Sequence, residues 1–437
     1  MAIVRQAKFS GLTFGEFATQ LLKTVLAVDV MFDTYQEQSI KNAERIRRSS
    51  NQLLFKKIIA SNVIKQWNQF LSNGHNKGEL VKFLAEQWTH NESISLIGEK
   101  DVYVTSEDRC ILLSLPSSPE ISELMCSQEE ADTRLLLHAQ HASSHYNDVI
   151  IYTPDTDVFV IALAFKHSIS ANLYIKTGVK KAKRLISLNA VTNYAFGSIF
   201  CKVQCDETVF LESLVGLHCF TGCDTVSAFS GKGKAKPLNL MKNHLEYILL
   251  FQALGQSWTI SEDLVKGLEK FVCHLYGSKT NDVNKLRYKM YCSRKAELSC
   301  ELLPPCFSSL NQHILRANYQ TKIWRSSLIP NPAVPSPEGH GWYLNENNEL
   351  AIKWMDCRPA PDEILELVTC DCKKKCVDIS CVCMQFGFCC TDACSLTNCS
   401  NSSNERVEIY NHNVNLEDCN EDEDSDIDED DEENAIF

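Results

Sequence analysis

Six acidic side chains are spaced along this chain in a way that predicts a site for divalent cations. They lie in four short stretches, "VMFD", "EEADT", "TPDTD" and "FTGCD", each at a predicted strand end or helix boundary. The carboxyl ends of parallel strands meet at one edge of a sheet. Carboxylates gathered there would repel each other, and Mg²⁺ or Mn²⁺, which prefer oxygen ligands, would neutralise them. The predicted ligands are Asp33, Glu130, Asp132, Asp155, Asp157 and Asp224.

Most of these acids also have a plainer interpretation. Glu130 and Asp132 fit the first turn of a helix, where the helix dipole favours acids. Asp224 fits the cap of a helix after Gly222. The pair in "TPDTD" is harder to explain in this way, because apolar runs flank it on both sides. The spacing alone therefore leaves both interpretations open.

Two basic stretches are candidates for contact with phosphate. "KNAERIRR" begins at Lys41, and "GKGKAK" combines lysines with glycines that let a backbone approach a phosphate. A solvated helix face is the plainer interpretation of the first stretch, and the second is a weak signal by itself because it is not a Walker A motif. The predicted nucleic-acid contacts are Lys41, Arg45, Arg47, Arg48, Gly231, Lys232, Gly233 and Lys234.

Nine of the 21 cysteines lie between Cys370 and Cys399. Two Cys-x-Cys pairs cannot easily close disulfides within themselves but can present thiolates to Zn²⁺. Thirty residues of this composition cannot bury a core, so metal binding would supply the folding energy. Zinc is favoured over disulfide or redox roles because no secretory signal is present. The predicted ligands are Cys370, Cys372, Cys376, Cys381, Cys383, Cys389, Cys390, Cys394 and Cys399.

The elements that position these residues alternate between strands and helices. Val149–Tyr152 is typical of a buried strand, and Val158–Phe165 of the start of a buried helix. Similar alternation from about residue 16 to residue 224 predicts an α/β domain with a largely parallel sheet. Residues 239–328 are mainly helical in pattern.

Composition limits the possible locations and partners. The net charge of −13 comes from residues 417–433, which hold 13 acids; without them the chain has 43 acidic and 43 basic residues. No apolar run approaches the roughly 20 residues of a membrane helix. We expect an intracellular, nuclear protein with no membrane contact. The acidic tail should remain disordered and could bind basic chromatin proteins.

The acidic and basic motifs together resemble the flap-endonuclease branch of the PIN-like nucleases, over about residues 25–245. "EEADTRLLLHA" resembles the helix start of that family with its two acids, and "VIIYTPDTDVFVIAL" resembles its strand ending in Asp-x-Asp. "LHCFTGCDTVSAFSGKGKAKPLNLM" resembles the segment with its last metal-site acid and a helix-hairpin-helix-like turn. "VMFDTYQEQSIKNAERIRR" resembles its strand and basic arch.

The resemblance implies a metal-dependent phosphodiesterase. The six acids would bind Mg²⁺ or Mn²⁺, while Lys41 and Arg47 would stabilise charge on the phosphate. That family begins with a strand carrying another metal-ligand Asp, whereas residues 1–27 contain no acid except Glu16. The first strand is therefore expected to be missing or to lie upstream. Thr225 also stands where the family has a tyrosine.

The cysteine segment resembles tesmin-type CXC modules, some of which bind DNA. Eight of the nine cysteines fit that pattern, Leu396 replaces its penultimate cysteine and Cys389 is additional. The resemblance therefore implies zinc binding, with one ligand altered. In this chain Lys373–Lys375 are the basic residues available for DNA contact.

The sequence thus predicts a PIN/flap-endonuclease-like, doubly wound, mainly parallel α/β domain followed by four further segments. The function expected is a structure-specific, nuclease-like phosphodiesterase acting on nucleic acid, with DNA favoured. The alternative is a catalytically inactive nucleic-acid- or chromatin-binding protein derived from a mobile element. The predicted divisions are the α/β domain 1–238, a helical extension 239–328, a Pro-rich linker 329–369, the cysteine module 370–401 and the acidic tail 402–437.

Overall fold

A computed structural model of the chain falls into two compact units, residues 1–354 and 355–436, which we describe separately. In the first unit the structure describes residues 12–24, 29–36, 38–48, 58–63, 67–114, 117–178, 182–292 and 302–357, the last range reaching into the second unit. In the rest of the second unit it describes 369–373, 376–377, 380–385, 390, 394–396 and 399–401.

The N-terminal part of the first unit packs helices against a small sheet. Strand β1 pairs in parallel with β2, and β2 pairs antiparallel with β3. The core contains the rings of Phe14, Phe17 and Trp88, and the indole Nε1 of Trp88 donates to the carbonyl oxygen of Ala18 at 3.0 Å. The elements are α1 Phe14–Thr24, β1 Asp29–Val30, α2 Ile40–Arg48, α3 Trp67–Ser72, α4 Gly74–Trp88, α5 Asn91–Ile94, β2 Val102–Ser106 and β3 Arg109–Leu113.

The second part of this unit places a sheet and nine helices around a larger core. Strand β4 pairs in parallel with β5, and β5 pairs antiparallel with β6. The elements described here are α6 Ala131–Ser143, β4 Asp148–Tyr152, α7 Thr156–Ala164, β5 Asn172–Thr177, β6 Arg184–Ser187, α8 Leu188–Val203, α9 Glu207–Phe220, α10 Ala235–Lys242, α11 Leu245–Ala253, α12 Glu262–Leu275, α13 Val283–Cys292 and α14 Phe307–Arg325. A two-stranded sheet, β7 Trp342–Leu344 and β8 Leu350–Ile352, follows.

Helix α9 lies at the centre of this larger core, between α7, α11 and α14. The rings of Phe220, Phe251 and Phe271 meet there at centroid distances of 4.7–6.2 Å. A side chain at Gly216 would collide with the carbonyl of Phe251, so glycine allows α9 and α11 to pack this closely. The burial of these rings fixes the C-terminal end of α9, which precedes Asp224.

Strand β4 is only half covered. Ile151 is buried, as expected, but Ile150 and Tyr152 on the opposite face are 56% and 41% exposed. The prediction of a strand at residues 149–152 is confirmed, and its description as a buried strand is wrong for this face. A run of β-branched residues predicts a strand but does not reveal how many of its faces are covered.

The fold class is therefore mixed α/β with small sheets. The described strands form sheets of three, three and two strands, and each three-stranded sheet has one parallel and one antiparallel pair. The doubly wound, mainly parallel sheet that the resemblance implies is not shown by the described residues. In those residues no helix has the length and apolar content required to cross a membrane.

The second unit contains the cysteine segment. A short helix, α15 Val382–Gln385, is its one described regular element. Its core consists of cysteine sulfurs, with Met384 and Leu396 packed against them. The predicted acidic tail, 402–437, lies outside the described residues, and the domain divisions at 238 and 328 stay predictions.

Candidate functional site

The predicted acids stand at the starts of helices and at the ends of other elements. Asp33 follows β1, Glu130 is the N-cap of α6 and Asp155 is the N-cap of α7. Asp132 and Asp157 lie in the first turns of those two helices, and Asp224 follows α9.

Lys41, on α2, brings several of these acids into one site. Its ammonium lies 3.5 Å from Glu130 Oε2 and 3.4 Å from Asp132 Oδ2, with only 11% of the lysine side chain exposed. Burial acts to lower the pKa of Lys41, but Glu130, Asp132, Asp33 and Asp224, in that order of effect, hold it well above its ordinary value. Carboxyl groups from three separate parts of the chain therefore surround one buried cation.

The carboxylate of Glu130 is held from the opposite side by α14. Trp324 Nε1 donates to Glu130 Oε2 at 2.9 Å, and Gln320 Nε2 donates to Oε1 at 3.1 Å. Although Glu130 occupies an N-cap position, its side chain does not cap the helix. Asp33 does so instead, because its Oδ1 accepts a hydrogen bond from the backbone N–H of Ala131 at 2.9 Å. Glu130 therefore stands at a helix N-terminus, as the plainer interpretation expects, while its carboxylate is held by α14.

The second carboxyl beside Lys41 has an unusual protonation equilibrium. Burial raises the pKa of Asp132 to about 8; Lys41 opposes this shift, while Glu130, Asp155 and Asp33 add to it. The pocket contains one ammonium for two carboxyl groups, so one negative charge is left without compensation. Asp132 therefore holds its proton to a higher pH than an ordinary aspartate does.

Asp155 and Asp157 belong to the same site but have different partners. Loss of hydration and the charge of Asp157 raise the pKa of Asp155, with a further contribution from Asp224. Asp155 caps its own helix, since its Oδ1 accepts from the Asp157 backbone N–H at 2.9 Å. Asp157 Oδ1 lies 2.7 Å from His218 Nε2, and the His218 ring packs near Trp324.

The acids differ in their access to solvent. Glu130 is 4% exposed, and the Asp132 and Asp157 side chains are 17% and 13% exposed. Asp155 and Asp224 are exposed residues. The site therefore runs from a buried glutamate to an open mouth that a solvent-borne ligand can reach.

The donor chemistry of this site fits a hard cation such as Mg²⁺, since every candidate ligand is a carboxylate. Its spacing is arranged around Lys41. In the residues that the structure describes, no three acids place carboxylate oxygens within 4.8 Å of one another. The acids are thus gathered around a lysine, and their role as metal ligands stays a prediction.

The predicted phosphate-binding residues fall into different surroundings. Arg47 pairs with Glu44 on its own helix at 2.9 Å and is 58% exposed. The side chains of Arg45 and Arg48 lie outside the described part of the structure. Lys234 donates to the carbonyl oxygens of His218 and Gly222, where it stabilises the C-terminal end of α9.

The other residues of the "GKGKAK" loop lie at the surface. Lys232 Nζ lies 4.2 Å from the centre of the Tyr276 ring. Gly231 has a φ of +66°, which favours glycine, and a side chain at Gly233 would meet no atom within 4 Å. Nucleic-acid contact by this loop stays a prediction.

Sequence reasoning did not identify Gln320, Trp324 or His218. His218 lies in "LHCFTGCD", the same segment as the predicted ligand Asp224. A polar ring in an otherwise apolar helix could therefore have indicated that His218 belongs to the site. Gln320 and Trp324 are four residues apart and share a helix face, but nothing in their local pattern links them to residue 130.

The cysteines form a buried cluster with the geometry of a metal site. Two groups of four sulfurs each lie within 4.8 Å: Cys370, Cys376, Cys381 and Cys390; and Cys370, Cys383, Cys390 and Cys394. Neighbouring sulfurs are 3.6–3.9 Å apart. A zinc–sulfur distance of about 2.3 Å gives tetrahedral edges of about 3.8 Å, whereas a disulfide bond is about 2 Å long. The cluster can therefore hold a zinc ion, and these cysteines are not disulfide-bonded.

The two groups share Cys370 and Cys390. Asn401 Nδ2 donates to the shared Cys390 Sγ at 3.2 Å, and the Cys390 backbone N–H donates to the Asn401 carbonyl at 2.9 Å. Burial opposes ionisation of Cys381, but hydrogen bonds from the Met384 backbone and neighbouring thiols lower its pKa to about 6. Burial raises the pKa values of Cys376, Cys383 and Cys390, so these coupled thiols ionise unequally unless a cation compensates their charges.

The remaining predicted zinc ligands are less fully defined. Cys399 is buried against Cys376 and Cys390, and Cys372 is half-buried beside Cys370 and Cys376. Cys389 lies outside the described residues. Leu396, at the position where the resemblance expects a cysteine, packs against the sulfurs as an apolar side chain.

Comparisons with protein-family models, with curated proteins and with solved structures found no match to this chain. The likeness to flap endonucleases and to tesmin-type modules therefore depends on the motifs alone.

Proposed function

We propose that the protein is a divalent-cation-dependent phosphodiesterase that acts on nucleic acid. The observation that carries this proposal is the gathering of Glu130, Asp132, Asp33 and Asp224 around Lys41. Packing carboxyl groups this closely opposes folding unless cations compensate them. A site of this kind is better explained by ligand chemistry than by stability.

The residues of the site would have distinct roles. Glu130 is oriented by Gln320 and Trp324, so its carboxylate is fixed before any ligand arrives. Asp155 and Asp224, at the exposed mouth, would be the first acids that an entering cation meets. When bound, Mg²⁺ or Mn²⁺ supplies positive charge that polarises a phosphate and lowers the pKa of water.

Lys41 would change partners as the site is loaded. Without a bound metal ion, the ammonium of Lys41 contacts the carboxylates of Glu130 and Asp132. Once another cation neutralises those acids, the ammonium can donate to a phosphate oxygen and stabilise its developing charge. His218 holds Asp157 in place and leaves Asp155 to face solvent.

The second candidate is a binding protein without catalytic activity. The position of Lys41 among the acids favours this candidate, because a site that contains its own cation does not need a metal ion in order to fold. The spacing of the carboxylate oxygens also favours this candidate.

We further propose that the cysteine segment binds two zinc ions which share the thiolates of Cys370 and Cys390. The overlap of the two sulfur groups supports this arrangement. Its predicted contact with DNA through Lys373–Lys375 remains part of the proposal, as does docking of chromatin proteins by the acidic tail.

The test is cleavage of branched and single-stranded DNA and RNA by the full-length protein with Mg²⁺ or Mn²⁺. Asp155→Asn should lower the rate at least about 100-fold, since loss of one electrostatic group commonly has this effect. Glu346→Gln, an exposed acid in the β7–β8 turn, is the matched control and should cleave normally. Equal cleavage by Asp155→Asn would remove this residue from the mechanism, and an inactive wild type would favour the binding protein.

A further inference from the structure

Helix α13 carries an exposed aromatic pair that the acidic site does not use. Tyr288 and Tyr291 are 71% and 59% exposed and lie on one face of the helix, three residues apart. They border an open cavity of about 280 Å³. Single exposed aromatic side chains are common, but two that share one helix face beside a cavity form a patch of the kind that binds ligands.

The walls of this cavity are fixed in position. Arg287 Nη1 donates to the carbonyl oxygen of Pro304 at 2.6 Å, and Asn284 Oδ1 accepts from the backbone N–H of Phe307 at 2.8 Å. These bonds connect α13 to the start of α14. Leu303 completes the lining. The cavity is therefore formed before any ligand binds.

Among the described residues that line the cavity, the one charged side chain is positive. In the part of the chain that the structure describes, its lining contains one guanidinium, one amide, two phenols and one leucine, and no carboxylate. Helix α13 itself carries Lys285, Arg287 and Lys289 and no acid. Lys285 is paired with Asp282 at 3.2 Å, whereas the Arg287 guanidinium donates to the carbonyl of Pro304, which carries no opposite charge.

The "GKGKAK" loop adjoins this surface. A side chain at Gly231 would touch Leu302, the neighbour of the lining residue Leu303. Lys232 stacks over Tyr276, and burial raises the pKa of the Tyr276 hydroxyl while the charge of Arg287 opposes that shift. Loss of hydration and repulsion by Lys236 lower the pKa of Lys232. The two lysines are thus close enough to repel each other, and a bound polyanion would relieve that repulsion.

We infer that α13 and the loop 231–236 form a binding site for single-stranded nucleic acid. An unpaired base stacks on Tyr288 and Tyr291, and the neighbouring phosphates face Lys232 and Lys236. Aromatic platforms beside a cationic groove are the usual means of holding unpaired strands, because every base presents a flat π face. This inference rests on the proposed function for its nucleic-acid substrate and specifies the unpaired strand as the part recognised away from the acids.

The experiment measures binding by the full-length, zinc-loaded protein without Mg²⁺ or Mn²⁺, so that cleavage does not interfere. The probes are fluorescent oligo(dT) and oligo(rU) of about 20 nucleotides and a DNA duplex of the same length. Tyr288→Ala and Tyr291→Ala should each weaken oligonucleotide binding at least about fivefold, and the double variant more. Phenylalanine at either position should preserve affinity, since stacking needs the ring and not the hydroxyl.

Tyr194→Ala is the matched control, because Tyr194 is 76% exposed on α8 and does not line the cavity. It should bind both oligonucleotides like the wild type. A 2-aminopurine base in the oligonucleotide should lose fluorescence on the wild type, through stacking, and keep it on the double alanine variant. All these tyrosines are exposed, so each variant should retain the wild-type thermal transition.

Unchanged binding by the alanine variants would overturn the inference. An equal loss of duplex binding would also overturn it, because duplex bases cannot stack on an exposed side chain. If the alanine variants lost binding to a protein partner but kept binding to the oligonucleotides, the inference would be overturned and the surface would be a protein-docking site. The binding assay contains no divalent ion, so its result does not depend on cleavage. Tyrosine-dependent binding would support this inference even if the protein did not cleave nucleic acid, and cleavage that depends on Asp155 would support the proposed function even if the tyrosines did not affect binding.

Discussion

The acidic site and the cysteine cluster both gather groups that repel one another when ionised, but different forces hold them together. At the acidic site the chain supplies its own cation, Lys41, and α14 supplies hydrogen bonds to Glu130. Phe, Leu and Trp side chains in large cores fix the supporting helices. The cysteine cluster has sulfurs as its core and, in the part of the segment that is described, one four-residue helix.

This difference separates two ways of building a ligand site. The acidic site is assembled by packing and is complete before any ligand arrives. On our proposal, the cysteine cluster would gain its order from bonds between its sulfurs and a metal ion, because so short a segment buries too little apolar surface to fold alone. Removal of cations should therefore affect the two regions very differently.

The largest expected effect is the response of the cysteine segment to loss of zinc. Structural zinc contributes on the order of 10 kcal/mol to the folding of such segments. A zinc chelator should make the amides of residues 370–401 exchange rapidly with solvent. The thermal transition of residues 1–354, which form a separate compact unit, should move by less than about 2 °C.

The same chelator saturated with zinc is the control for nonspecific effects. Among variants, Cys390→Ser should lose zinc, because this sulfur belongs to both groups. Cys357→Ser, at an exposed cysteine outside the cluster, should keep the wild-type zinc content. A chelated protein whose cysteine segment remains protected from exchange would contradict the contrast between the two regions.

The next effect in size concerns Lys41. Lys41→Met leaves Glu130 and Asp132 without a cation and should lower the free energy of unfolding by about 3–5 kcal/mol. The pKa of Lys41 is raised, so its stabilising contribution is complete below about pH 10.5 and is lost only when pH rises through the higher folded value. The titration of Lys41 itself therefore adds no pH dependence to this effect between about pH 6 and 7, below the range in which Asp132 loses its proton. Urea denaturation without added divalent ions measures it.

Lys82→Met is the matched control. Lys82 also contacts two acids, Glu107 at 3.0 Å and Glu79 at 3.4 Å, but its side chain is 45% exposed. Its loss should change stability by less than about 1 kcal/mol. Millimolar Mg²⁺ should restore part of the stability of Lys41→Met and leave Lys82→Met unchanged. Equal losses in the two variants would mean that Lys41 does not hold the acids together.

The contrast between these regions was only partly predictable from the sequence. The strand–acid–helix pattern around Asp155 and the Cys-x-Cys spacing depend on neighbours in the chain, so both were visible. The contacts of Glu130 with Gln320 and Trp324 span 190 residues or more and depend on how α14 packs. Nothing local in the sequence encodes such a contact.

Two further features could be recognised only from the three-dimensional structure. Lys41 was predicted to face phosphate, and its contacts with Glu130 and Asp132 depend on where α2 lies relative to α6. The sharing of Cys370 and Cys390 depends on the path of the chain between cysteines, which spacing restricts but does not determine. Residue types thus indicated the chemistry of each site, and packing decided its partners.

The smallest effect is a dependence of stability on pH that arises from Asp132. Its pKa is raised from 3.8 to about 8, so between these values the folded state holds a proton that the unfolded state has lost. The stability from this group is complete below pH 3.8 and is lost as pH rises through about 8. Asp132→Asn should remove a fall of about 1 kcal/mol per pH unit between about pH 6.5 and 7.5.

That interval avoids an opposite effect from His313, whose pKa is lowered to about 4 by burial and whose stability contribution is lost as pH falls below 6.5. Glu346→Gln should show the wild-type slope. If wild type and Asp132→Asn lose stability in parallel, Asp132 holds no proton at neutral pH. One ammonium would then face two ionised carboxylates in a buried pocket, and the acidic site, like the cysteine cluster, would need an added cation to be stable.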